Sequence, residues 1–451
     1  MQTSFRTLLT GAALAGALVP AAGAQRAGNG AALRDDVARR TTAVMPKVVA
    51  WRRDIHEHPE LSGSEVRTAA LVAAHLRSLG MEVKTGVGGH GVVGLLVGGK
   101  PGPVVALRAD MDALPVEELV TLPFKSKVRA SYNGQQVGVM HACGHDNHVA
   151  ILMGAAEVLA GMKASLPGTV KFVFQPAEEG APNGEGGAAP MIREGVLESP
   201  KVDAMFGLHV FPGPLGSIGY RVGPLLAASN SFTLTVRGKQ THGAAPWAGV
   251  DPIVVGSQIV LGLQTIISRQ VDITAVPAIV TVGAINGGIR SNIIPDSVVM
   301  IGTIRTFDAT QRRTIFANMK RTAEQIALSS GATAAFVVDS GYPVTVNDTT
   351  LTTQMLPTMR WAAGSAGAGL RPLVTGAEDF SYFQEKVPGV FVMLGVTPAG
   401  QDPAKVAANH SPYFFADEAA LPNGVRVMAA LATDFLASGG RTAPAAGTAG
   451  R

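Results

Sequence analysis

Short aliphatic strands that alternate with helices, in a rhythm that breaks once and then resumes, constrain this chain more than any other feature. Val44, Val48, Val49, Trp51 and Ile55 recur at roughly helical spacing until Pro59 ends the run. Residues 64–79 read as a second helix, with Gly80 as its stop. The period then changes. Residues 92–97 and 104–107 are short β-branched or aliphatic runs bounded by glycine and proline, as buried strands are. Residues 149–162 return to helix, and strands follow at 170–174 and 204–210. Such interleaving predicts an α/β fold with a mixed, mostly parallel sheet and flanking helices.

Between residues 229 and 339 the pattern restarts as a unit of its own. A half-exposed strand at 231–237 leads to a helix at 253–267, strands at 278–285 and 298–306, a helix at 311–328 and a strand at 334–338. That β-α-β-β-α-β order is a split-βαβ sandwich, ferredoxin-like α+β, of about 110 residues, a size typical of a small domain. The expected organisation is a catalytic α/β domain in two parts, 41–228 and 340–437, with a lid or dimerisation domain inserted at 229–339. A tail of glycine, alanine and proline at 438–451 is expected to be disordered. With 47% hydrophobic and 16% charged residues the chain is globular in composition. Its net charge of +4, with no Lys/Arg-rich run, argues against nucleic acid as a partner.

The first residues read as an address. Arg6 supplies a positive start, residues 8–19 a short apolar run, and Ala22-Gly23-Ala24 a small-x-small cleavage site before Gln25. Residues 1–24 are therefore expected to be a signal peptide, and the protein to be secreted or periplasmic. The apolar run falls short of the ~20 residues that a spanning helix requires, so no stable membrane anchor is expected, and no later segment is uninterrupted for that length. Cys143 is the one cysteine, which excludes an internal disulfide. A lone thiol in an oxidising compartment calls for protection.

The densest chemistry lies in His141-Ala142-Cys143-Gly144-His145-Asp146-Asn147-His148, with three of the ten histidines and the cysteine in eight residues. Thiolate and imidazole are good ligands for ions such as Zn²⁺, and Gly144 lets a loop turn Cys143 and His145 to one side. A metal would also hold the sulfur as thiolate and shield it from oxidation. A surface loop with incidental histidines and a buried thiol would show the same residues. Phe172-Val173-Phe174-Gln175-Pro176-Ala177-Glu178-Glu179-Gly180 runs from an apolar strand into two adjacent carboxylates. Adjacent side chains usually point apart, so one can bind metal while the other acts as a general base; a solvated turn is the plainer alternative. Gly207-Leu208-His209 ends another strand, and His410-Ser411-Pro412 lies in a distant loop; each alone also fits an ordinary satisfied histidine. In Arg108-Ala109-Asp110-Met111-Asp112-Ala113-Leu114-Pro115 the two acids can orient ligands from behind or simply cap a loop.

Together with Arg53 to Glu60, Thr241 to Pro246 and Gly376 to Phe380, these motifs resemble the M20 family of metallopeptidases and amidohydrolases, in the right order over roughly residues 41–435. They resemble especially its branch of N-acyl amino acid, hippurate-type and indole-acetyl-amino-acid hydrolases. It implies up to two divalent transition-metal ions (Zn, Mn, Co or Ni), with Cys143, His145, Glu179, His209 and His410 as ligands and Cys143 bridging. Glu178 matches the general base for a metal-activated water, and Asp112 an acid that stands behind the metals. His242 matches a histidine that, in dimeric relatives, reaches the neighbouring subunit's site and stabilises an oxyanion. Asn292 and Arg305 resemble positions that hold the substrate carboxylate. Trp247, Ala377 and Asn147 depart from the family's usual residues without touching a proposed ligand. The implied reaction is cleavage of the amide of an N-acyl or N-aminoacyl amino acid, with a homodimer through the insert. A dipeptidase or carboxypeptidase using the same machinery, and a metal-dependent binding protein without catalysis, are the alternatives. The sequence leaves open which of Glu178 and Glu179 is base and which is ligand.

Overall fold

The computed structural model describes residues 20–181 and 187–440. Its first element is a continuous helix, Pro20–Glu57, which runs through the alanine- and glycine-rich stretch and past the expected cleavage point after Ala24. Alanine's high helix propensity sustains it there. Residues 1–19 of the expected leader and residues 441–451 of the expected tail lie outside the described residues.

Eight strands form the main sheet, in the order Glu82–Val87, Gly91–Val97, Pro167–Gln175, Lys100–Asp110, Ala204–Phe211, Gly389–Gly395, Ile218–Tyr220, Ala368–Leu370. From Pro167–Gln175 to Gly389–Gly395 the neighbours are parallel, and toward Glu82–Val87 they are antiparallel. The sheet is mixed and mostly parallel, as the rhythm of strands and helices predicts.

Alternation along each strand divides the side chains between two cores. Val105, Leu107, Ala109, Phe172, Phe174, Phe206 and Leu208 enter a core with residues of the helices Pro20–Glu57, His145–Ala160 and Leu421–Ala437. Each such valine, leucine or phenylalanine contributes ~1.5–3 kcal/mol on full burial, so this face anchors the layer. Ala106, Val173, Met205, Phe391 and Met393 point the other way, packing with residues of the short helices Ala188–Arg193 and Phe380–Gln384. The same two-residue period puts Arg108, Asp110, Gln175 and His209 on this second face, toward the C-terminal ends of their strands. Open α/β sheets place their sites at those ends.

The interruption is a four-stranded antiparallel sheet, ordered Ala278–Asn286, Ser297–Thr306, Ala228–Arg237, Thr333–Ser340, packed against the helices Pro252–Gln270 and Ala309–Ser329. Asp251 and Asp308 cap these helices, accepting hydrogen bonds from Ile253 and Val254 and from Gln311. Pro252–Gln270, although interrupted by Ser257, Gln258 and Gln264, is long and apolar enough to cross a membrane by length and composition. Its Val255, Ile259, Leu263 and Ile266 recur at helical spacing and pack into the core of the small sheet.

Candidate metal centre

Cys143 ends the loop that enters the helix His145–Ala160, with Gly144 between them at φ +90°. A Cβ at Gly144 would lie 2.4 Å from Val210 Cγ2, so glycine allows the chain to pass there and turn thiol and imidazole inward together. His145 Nδ1 donates to the Asp112 carbonyl and His209 Nδ1 to the Val210 carbonyl, each at 2.8 Å. With both Nδ1 atoms anchored to backbone, both Nε2 atoms are left for the interior of the site. His209 Nε2 lies 3.3 Å from Cys143 Sγ, and His145 Nε2 is buried without a hydrogen-bond partner.

Glu178 and Glu179 leave the strand Pro167–Gln175 through Ala177, which is held at φ +50°. Three acceptors fix this turn. Glu65 Oε1 takes the Ala177 amide at 2.9 Å, Asp112 Oδ1 the Glu178 amide and Asp112 Oδ2 the Glu179 amide, both at 3.0 Å. Ser62 Oγ donates to Asp112 Oδ2 at 2.6 Å. Asp112 is thereby a positioning residue, with both oxygens committed to the frame of the site. The Tyr342 hydroxyl donates to the Glu178 carbonyl in a short hydrogen bond. His410, at φ +69°, brings Nε2 to 2.9 Å from Glu179 Oε1.

Candidate ligand atoms come within 4.8 Å of one another in two sets that share Cys143: one with His145 and His209, the other with Glu179 and His410. Glu178 belongs to neither, although it meets His145 and Glu179 in a further set. His148 groups with Asp110 and His145, but both its nitrogens are occupied: Nδ1 donates to Asp110 and Nε2 accepts from the Val210 amide. His141 is buried, its nitrogens unpartnered, in none of these sets.

Behind the cluster lies a buried Arg108 that donates to Gln175 Oε1 at 2.9 Å, Asp110 Oδ2 at 2.7 Å, and Glu378 Oε1 and Asp379 Oδ1 at 2.9 Å each. Asp110, Asp112, Glu178, Glu378 and Asp379 are all buried, with Glu179 beside them. Acid is therefore in surplus. Burial pushes Glu178 well above the usual carboxylate range, with Glu378, Glu179, Asp379 and Asp110 adding to it. Burial works against the charge of His145, yet Asp110 and Asp112 raise it to about 10. Burial, then Glu179 and Glu178, push the Cys143 thiol well above its usual range, so ionising it there requires a cation. The orphaned imidazole nitrogen, the acid surplus and a buried thiol between two ligand sets fit divalent transition metals.

Of the residues singled out in the sequence, Cys143, His145, Glu178, Glu179, His209, His410 and Asp112 meet in this cluster. His242, Asn292 and Arg305 do not: among the described residues they make no hydrogen bond or ion pair to it. His242 lies exposed on the two-residue strand Thr241–His242, opposite Ile293, and its Nδ1 accepts from the Ala244 amide at 3.0 Å. Asn292 is its exposed neighbour, its carbonyl accepting from the Gly243 amide at 2.8 Å. Arg305 stays on the strand Ser297–Thr306, where Nη1 donates to the Ile304 carbonyl at 3.3 Å and to Thr303 Oγ1. Arg108, Glu378, Asp379 and Tyr342 join the frame of the site without having a role predicted by the sequence. The available signal was a charged pair, Arg108 and Asp110, spaced i, i+2 inside an apolar strand.

Fold and cluster together define the class: an α/β enzyme with a transition-metal donor set at the ends of its strands. The model for peptidase family M20/M25/M40 matches residues 106–434. Thermostable carboxypeptidase 1 of Saccharolobus solfataricus is 42% identical over 391 residues, 86% of this chain and 95% of that protein. N-acetylcysteine deacetylase of Bacillus subtilis is 39% identical over 398 residues, 86% of this chain and 97% of that one. The solved structure of the Bacillus subtilis YXEP protein, a dinuclear metal binding peptidase from the M20 family, matches with a TM-score of 0.74 at 36% identity, over 88% of this chain and 99% of the other. The chain belongs to peptidase family M20/M25/M40, and is a hydrolase of amide or peptide bonds.

Proposed function

We propose that the chain is a metal-dependent amidohydrolase that releases amino acids from small N-acyl amino acids. The observation that carries this reading is the two ligand sets sharing Cys143, with Glu178 beside Glu179 on a turn fixed by Asp112. Cys143, His145 and His209 would hold one ion, and Cys143, Glu179 and His410 another. Bound there, divalent ions would supply Lewis acidity to the amide carbonyl and to the attacking water. Glu178 takes the proton of that water and delivers it to the departing amine nitrogen as the C–N bond breaks. Asp112 keeps Glu178 and Glu179 in register, and the Arg108 network fixes Asp110, whose Oδ2 lies 3.7 Å from His145 Nε2.

The deacetylase relative supports N-acyl substrates, and the carboxypeptidase relative supports peptides. A panel of N-acetyl amino acids, dipeptides and longer peptides, assayed for free amino acid release, separates the readings. N-acetyl amino acids should be cleaved at least ~10-fold faster, in kcat/KM, than the peptides, a gap of about 1.4 kcal/mol in transition-state binding. The reverse order makes the chain a carboxypeptidase or dipeptidase, and cleavage of neither class makes it a binding protein.

The reading includes a pair of chains in which His242 of one serves the site of the other. Its support is the exposure of His242 and Asn292 away from their own cluster, and an outward sheet face on which exposed Ile301 and Val337 flank Thr233. His242→Ala should then lower turnover by about 10²–10³ with metal content unchanged. Mixed with Glu178→Gln chains, which retain His242, the variant should regain activity. Turnover within a factor of about two of wild type would mark His242 as ordinary surface. Export belongs to this reading as well, and is supported by the N-terminal sequence.

A further inference from the structure

A cavity of about 330 Å³ opens beside the cluster, with Phe211, Ile218, Gly219, Met393 and Arg371 among its walls. Strand register places it on the same sheet face as His209. His209 pairs with Met393, Met393 with Gly219 and Gly219 with Gly369, and residues paired across strands present their side chains to one face. Phe211, two residues beyond His209, stacks on its ring with centroids 4.5 Å apart. Phe211 thus links the cavity it lines to the His209 side of the cluster.

Arg371 reaches this cavity across a glycine. A Cβ on Gly219 would lie 2.5 Å from Arg371 Cγ and 2.6 Å from Cδ, so the arginine stem occupies the space that the missing side chain leaves. Among the described residues its guanidinium has no ion pair, and its Nε is buried without a hydrogen-bond partner. Next to it, Arg221 Nη1 donates to the Arg371 carbonyl at 3.1 Å. Arg221 likewise has no acid partner among the described residues, and its Nε is also buried and unpartnered. Arg34, Arg52 and Arg108 are neutralised by Asp434, Asp146 and Asp110 in turn, whereas Arg426, like Arg371, keeps a buried Nε without a partner. A guanidinium nitrogen buried without an acceptor is costly, and an anion that enters the cavity supplies one.

We propose that this cavity is a subsite for a small organic carboxylate, gripped by Arg371. The planar fork of arginine matches a carboxylate bidentately, and the apolar residues Phe211 and Met393 suit the hydrocarbon part of an organic acid. The carboxylate has two possible sources: the substrate or its released products, or a separate acid that binds next to the site. The first source rests on the function proposed above, and the second does not.

Calorimetric titration of the metal-loaded protein with benzoate, and with benzamide as its uncharged counterpart, tests the subsite. Wild type should bind benzoate about tenfold or more tightly than benzamide, the size of effect expected for a charged hydrogen bond. Arg371→Met should abolish that preference, and Arg371→Lys, which keeps charge without the fork, should retain part of it. Equal binding of the two probes by wild type, or an undiminished preference in both variants, overturns the proposal. Competition of benzoate with an N-acyl amino acid substrate identifies the substrate or its products as the source, and non-competitive inhibition identifies a separate acid. Binding is read without turnover, so a chain that takes benzoate through Arg371 but cleaves no amide overturns the proposed function alone.

Discussion

Glu178→Gln should lower turnover by at least ~10²–10⁴-fold, the range typical of a lost general base, while metal content and substrate affinity stay near wild type. The substitution keeps the shape of the side chain and removes its basicity. Nothing in the frame of the site has to move, because the amide of Glu178 is held by Asp112 and its carbonyl by Tyr342, and neither bond involves the carboxylate. Glu179→Gln should fail differently. Its carboxylate meets His410 Nε2 at 2.9 Å and shares a ligand set with Cys143, so an amide there should weaken metal binding first. Added metal should then restore part of its activity. Both variants are to be measured for metal content and for turnover at saturating metal. If Glu178→Gln keeps wild-type turnover while metal-replete Glu179→Gln loses it, the two roles are exchanged; if neither loses turnover, the proposed hydrolytic mechanism is wrong.

Much of the fold is legible because its elements carry strong periodic signals. The central strands at Lys100–Asp110, Pro167–Gln175 and Ala204–Phe211 contain runs of Val, Leu and Phe buried on both faces. The order of the small unit is equally plain, since its strands alternate and its helices keep an apolar stripe. Glu82–Val87 escapes such reading because it is an edge strand, mostly exposed and polar. Ile218–Tyr220 and Ala368–Leu370 are three residues each, too short to show a period.

The candidate site divides in the same way. Cys143 and His145 stand out through local density, and Glu178 and Glu179 through adjacency at a strand end. The Arg108 network has no such signature, because Gln175, Glu378 and Asp379 lie 67, 270 and 271 residues further along the chain. Only the folded sheet, which sets Lys100–Asp110 beside Pro167–Gln175, joins Arg108 to Gln175. Tyr342 is invisible for a similar reason: its partner is the backbone of Glu178, 164 residues away, and a backbone acceptor leaves no mark on the sequence.

Metal content set against activity tests the account most directly. Cys143 is common to both ligand sets, His145 and His209 complete one, and Glu179 and His410 the other. The purified protein, brought to saturation with Zn²⁺, Mn²⁺, Co²⁺ or Ni²⁺ in turn and analysed by mass spectrometry for bound metal, should hold up to two ions per chain. Dialysis against a chelator should remove those ions and amide hydrolysis together, and readdition of metal should restore both. His145→Ala should lower the metal content as well as the rate, because it removes an anchoring nitrogen. Full activity in protein stripped of metal, or unchanged metal content in both His145→Ala and Glu179→Gln, would contradict the account.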